Sequence, residues 1–260
     1  MRKTILELWR FRELLISLTQ REIKVRYKQT LLGMAWAILQ PLSLMIIFTL
    51  VFSVFLKIKA GDVPYPLFAY SALVPWTFFS TSLSFGALAV VNNSNLVTKV
   101  YFPKEILPFA SLGAAFLDFL IAGMIFFILI LIYRVPLTAN FIFVLPIIGL
   151  LLIFTAALIL TASALNVIWR DVKFVVPLLA QVWMFITPII YPVSQVPEKL
   201  RVFYLFNPMA PIVDNFRRVT VFGESPNWLE LLIAAVISIV VFLLSYIFFK
   251  HKEKVFADII

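Results

Sequence analysis

The sequence predicts an all-α integral membrane protein: six transmembrane helices, an N-terminal amphipathic interface helix, and short helices between the fifth and sixth spans. Three observations predict it. The chain is 63% hydrophobic and only 13% charged, with mean hydropathy +1.03, whereas soluble domains run at about 45–50% apolar and about 25% charged. One core of 260 residues cannot hide that surplus, so lipid must be the solvent for much of the surface. Second, charge vanishes over long runs, the first of them 29–56, directly after a stretch carrying Arg21, Lys24, Arg26 and Lys28. Third, 15 of the 22 Lys and Arg residues fall in the segments that lie inside if the N-terminus is inside. That asymmetry, which comes mainly from the two termini, puts both of them in the cytoplasm.

Residues 1–28 read as the interface helix. Leu8, Phe11, Leu15 and Leu18 recur at helical spacing with Leu14 beside them, and Glu7, Arg10, Glu13, Arg21 and Lys24 fall opposite. A basic amphipathic helix beside a span lies in the membrane interface; its polar face is open to lipid headgroups or to a protein partner. The segment does not read as a cleavable signal peptide, because charges continue to Lys28 and no short apolar run ends in a small-residue cleavage site.

A crossing needs about 20 apolar residues. The spans are then 29–56, 67–91, 106–133, 141–165, 172–190 and 229–249, with a bend near Pro75 in the second. The inner loop 92–105 contains Asn95, Leu96, Lys99, Val100, Tyr101 and Phe102 before Pro103. It is too apolar for an idle loop: it reads as a short helix pressed into a cytoplasmic partner or as aromatics resting in the lipid interface. The outer region 191–227 is longer than ordinary connections. A helix over 198–206 presents Phe203 and Tyr204. Asn207-Pro208 starts another, with Ile212, Phe216 and Val219 on one face, an Asp214–Arg218 pair opposite, and Gly223 closing it. Re-entry into the outer leaflet and a lid resting on it are both compatible with this pattern. No repeat or linker divides the chain, so 1–260 reads as one domain.

Several chemistries are excluded. There is no cysteine and a single histidine, His251, so no metal site is expected. The net charge of +9 belongs to inner loops rather than to nucleic-acid binding. No paired-carboxylate or Ser-His-Asp motif offers catalytic residues. None of the seven glycines is followed by Lys, so the phosphate-binding loop Gly-x-x-x-x-Gly-Lys-Ser/Thr is missing. Active transport would need a separate ATPase. Asp118 is the only acidic or basic residue deep in a span; it reads as a functional group or as a side chain hydrogen-bonded across a helix interface.

The stretch from Arg21 to Pro41, with Ala69–Phe79, 92–108 and Asn207-Pro208, resembles ABC-2 type polysaccharide-exporter permeases along essentially the whole chain. Leu73-Val74 stands where that family often has Gly-Leu before the Trp. The resemblance implies a homodimer bound to two copies of a separate nucleotide-binding ATPase, which holds ATP and Mg while this chain holds no cofactor. The substrate would be a lipid-linked glycan such as O-antigen, and the site the plasma (inner) membrane of a bacterium. It implies an interface helix contacting the ATPase through Arg10, Glu13, Arg21 and Lys24, and a coupling helix around 95–102. It also implies re-entrant outer gate helices carrying Phe203, Tyr204, Ile212 and Phe216. Spans 1 and 5 would line the channel, making Phe48, Phe52, Trp183, Phe185 and Tyr191 the candidate lining. Export of a small lipid or drug by the same family, and a membrane-bound polyprenyl-sugar transferase using Asp118, are the alternatives.

Overall fold

The computed structural model describes residues 9–28, 30–57, 63–197, 199 and 204–260. Every regular element among them is helical: α1 Arg12–Tyr27, α2 Trp36–Phe48, α3 Tyr65–Leu88, α4 Ser94–Lys99, α5 Ile106–Ile132, α6 Val144–Ile168, α7 Val172–Ile186, α8 Met209–Arg217, α9 Trp228–Glu253 and α10 Phe256–Ile259. Leu8, Phe203 and most of the expected 198–206 helix lie outside the described residues.

The bundle is built around α3, which packs against α2, α5, α6, α7 and α8. Small residues make this possible. Gly86 faces Ile159 of α6 so closely that an added Cβ would stand 2.4 Å from its Cγ2. The helix runs unbroken through Pro75. Neighbours on every side hold it, as they hold prolines in membrane helices generally. A bend follows: Val91–Lys99 leaves the α3 axis at 46°.

Other boundaries follow from local chemistry. Gly33 sits at φ +53°, a left-handed turn that costs glycine least, and it separates α1 from α2. A π-helical turn, Thr49–Phe55, prolongs α2. The fifth apolar helix, α7, ends at Ile186 rather than 190, because Thr187 precedes Pro188 and takes the extended backbone that position favours. Outside the hub, α9 lies along α6, tied by a 2.8 Å hydrogen bond from Thr161 to Ser245.

Gly33–Phe55, Ile106–Ile132, Ala139–Ile168 and Trp228–Glu253 are each long and apolar enough to cross a membrane, and the bent pair Tyr65–Leu88 with Val91–Lys99 passes the same test only when the two are taken as one span. The 15 residues of α7 rise only about 22 Å, short of a hydrocarbon core of about 30 Å. One end of the bundle gathers α1, α4, α10 and the last turn of α9 around a second, smaller apolar cluster. It carries Lys99, Lys104, Lys250 and Lys252, and is called the basic end below. At the opposite end α8 continues as a π-turn, Arg218–Phe222, closed by Gly223 at φ +65°. There Arg218 pairs with Glu224 at 2.9 Å instead of with Asp214.

Candidate functional site

A groove runs between α2 and α7 with α3 as its floor. Thr77, Ser80, Thr81 and Ser84 of α3 line it; their i, i+3, i+4, i+7 spacing puts them on one helical face. Thr77 donates to the Leu73 carbonyl at 2.8 Å, Ser80 to Thr77 at 3.3 Å and Ser84 to Ser80 at 2.9 Å. Back-bonding of this kind satisfies the hydroxyl proton inside an apolar helix and leaves the oxygen as an acceptor. Gln40 from α2 and Gln181 from α7 add amides from either wall. The cavity measures about 350 Å³.

Toward the basic end it adjoins a second cavity of about 210 Å³, with Gln40, Thr77, Thr81 and Phe85 common to both. Here Arg26 and Tyr27 of α1 meet Asp118 of α5. Arg26 Nη1 lies 3.1 Å from Asp118 Oδ2, and its other terminal nitrogen donates to the Ser111 carbonyl at 3.1 Å. Its guanidinium covers the Phe85 ring at 4.2 Å. Tyr27 donates its hydroxyl proton to the second Asp118 oxygen. Burial, reinforced by that hydrogen bond, raises the Tyr27 hydroxyl above its ordinary pKa. The two charges along the groove therefore cancel. Asp118 is an ion-paired, hydrogen-bonded carboxylate, not a free acid or base.

A third, larger groove of about 590 Å³ separates α6 from α7. Its lining is apolar, with Leu158, Val175 and Leu179 among its walls. Trp183 borders this groove, with its ring edge-on to Phe79 and Phe154 and its Nε1 donating to Asn207 at 2.8 Å. Phe48 is buried edge-on to Phe52, Phe185 is exposed, and Tyr191 donates to the Phe185 carbonyl at 2.9 Å. None of these five aromatics borders the polar groove.

At the basic end, Phe11, Leu14, Leu15 and Leu18 of the α1 segment pack into the small apolar cluster, while Arg10, Glu13, Arg21 and Lys24 are exposed. Arg21 donates to the Asn93 side-chain oxygen, holding the start of α4. Asn95, Lys99 and Val100 are exposed and Leu96 is half-buried. Tyr101 and Phe102 part company: Tyr101 is 95% exposed and Phe102 is 4% exposed, inside the cluster. Lys104 lies 4.2 Å over the Phe102 ring; burial, only partly offset by Glu253, lowers its pKa.

The opposite end is tied down through Arg217. Its side chain is fully buried and stacks 3.6 Å over Phe68. It donates to the carbonyls of Pro188 and Ile189 at 3.1 and 3.0 Å, exactly the stretch where α7 has stopped being helical. Tyr65 donates to Ile190 at 2.7 Å, and the hydroxyls of Tyr191 and Tyr204 meet at 2.5 Å. Ile212 and Phe216 point into the bundle. No cluster of three or more metal-ligating side chains occurs among the described residues.

The hydroxyl stripe of α3 was legible in principle, since four Ser and Thr residues repeat at helical spacing in an apolar run. Arg217 carried no such signal.

A bundle of long apolar helices with a polar groove along one side defines a multi-pass membrane protein. Residues 13–221 match the ABC-2 type transporter family, and the chain belongs to it. It is 32% identical to the O-antigen export system permease protein RfbA of Myxococcus xanthus over 98% of both chains. It is 26% identical to the protein of the same name from Klebsiella pneumoniae over 79% of each. It is 24% identical to the polysialic acid transport protein KpsM of Escherichia coli, over 90% of this chain and 91% of that one.

Proposed function

We propose that this chain is the membrane subunit of an ATP-driven exporter carrying a lipid-linked polysaccharide across the bacterial plasma membrane. The polar groove between α2 and α7 carries the reading. Ser, Thr and Gln side chains replace the hydrogen bonds a sugar chain makes to water, and the absence of net charge leaves no point where a polymer would stick. The names of the relatives supply the substrate class.

Four further readings go with it. The groove is open on one side, and a second copy closes two half-grooves into a channel. Six crossings result if α7, prolonged through 187–191, is the remaining one; the basic end, with both termini, then faces the cytoplasm. A separate ATPase, holding ATP and Mg, docks on the exposed face of α1 and on α4 with Tyr101 just beyond its end. Residues 191–227, α8 among them, form the outer gate.

Export of a small lipid or drug is the second reading, and the apolar groove between α6 and α7 favours it. Reconstitution decides between them. The chain and its ATPase in proteoliposomes should move a labelled lipid-linked glycan on ATP addition, and Gln40→Leu with Gln181→Leu should abolish that movement. Transport of labelled phospholipid, with the glycan left behind, would overturn the reading.

A further inference from the structure

Glu105 is the residue before α5 and is completely buried. Its carboxylate accepts from the Tyr246 hydroxyl at 3.0 Å and from Lys250 Nζ at 2.9 Å. Lys250 also donates to Glu253 at 2.6 Å, and the other Glu253 oxygen accepts the backbone N–H of Lys104 at 2.8 Å. Lys104 in turn donates its ammonium to the Val100 carbonyl at 2.7 Å. The last turn of α9 is thus bonded to both residues that join the α4 loop to α5. Beneath it, Phe256 of α10 packs edge-on against Phe249 at 5.4 Å, in the apolar cluster that also holds Phe102 and Val97 of the α4 loop.

A carboxylate without access to water is held only where its partners keep it satisfied. A displacement of α4 that left α9 behind would strand Glu105. We propose that Glu105, Lys250 and Glu253 are positioning residues that make the α4 loop, the start of α5 and the end of α9 move as one body. Thrust received at Tyr101 then reaches two membrane helices instead of dissipating in the loop. The inference rests on α4 being the docking point of the ATPase.

The test is the number of ATP molecules hydrolysed per glycan chain exported by the reconstituted complex. Glu105→Gln combined with Lys250→Met removes both charges of the buried pair and leaves Glu253, which reaches the rim, with the Lys104 N–H as its partner. It should retain the bound ATPase while the ratio rises at least about threefold, the scale on which connected networks modulate coupling. Glu253→Ala, at the rim, cuts the tie to the Lys104 N–H and should raise the ratio in the same direction, and it decides the matter if the double variant does not assemble. Lys250→Arg, which keeps the charge, should restore near-normal coupling. A wild-type ratio in the assembled double variant, or in Glu253→Ala where only that one assembles, overturns the proposal. Tyr101→Asp separates the two layers. If it uncouples hydrolysis while the network variants do not, the network alone fails; if Tyr101→Asp leaves the ratio and ATPase binding unchanged, the docking role of α4 fails and the proposal with it.

Discussion

Arg26 at the end of α1 reaches Asp118 inside α5, with 3.1 Å between Nη1 and Oδ2. The partners are 92 residues apart in the chain, and they pin α1 to α5. Their side chains are 7% and 18% exposed, so each depends on the other. Breaking a buried pair by removing one partner costs about 3–5 kcal/mol, while removing both together is often close to neutral. Arg26→Met should therefore lower the thermal midpoint in detergent strongly, and Arg26→Met with Asp118→Asn should recover most of the loss. Full export by Asp118→Asn would also exclude a transferase that needs this carboxylate.

Tyr101 and Phe102 should behave oppositely on substitution. Phe102 fills the cluster at the basic end, and Phe102→Ala should destabilise the protein by about 3–5 kcal/mol. Tyr101 touches little of its own chain, so Tyr101→Asp should leave the melting temperature unchanged and weaken retention of the ATPase. Co-purification measured beside thermal melting separates the two.

Gly86 permits the close approach of α3 and α6. Gly86→Ala places a methyl group 2.4 Å from Ile159 Cγ2, and overpacking of this kind costs about 1–3 kcal/mol. Adding Ile159→Ala removes the clash, so the double variant should lose less stability than the two single losses added together, which a double-mutant cycle would register as coupling between the two sites.

Arg217 satisfies two carbonyls at the break beyond α7. Arg217→Met leaves both without that donor, at about 1–3 kcal/mol for each buried group left unpaired. The expected result is a lowered melting temperature, and faster hydrogen exchange concentrated at 187–191 and in α8 rather than spread through α5 or α9.

The apolar face of α1 was readable at Phe11, Leu15 and Leu18, because helical periodicity is local. The ends of most long apolar helices were readable to within a few residues, because charge interrupts an apolar run where the helix leaves it. The end of α7 was misread by four residues although Pro188 marked it, since the apolar run continues past the proline. Tyr101 and Phe102 looked like a pair; adjacent side chains beyond a helix end diverge, and only the neighbouring α9 and α10 determine which one is covered.

By itself the sequence determined the solvent, the helical class and the basic end. Each of these follows from composition or from spacing within one segment. The tertiary structure decided which charges are paired, which hydroxyls face one groove, and which residues bind the α4 loop to the membrane helices. Arg26 with Asp118, Gly86 with Ile159, and Glu105 with Lys250 meet across elements far apart in the chain. Their energies depend on angstrom-scale packing that no single segment encodes.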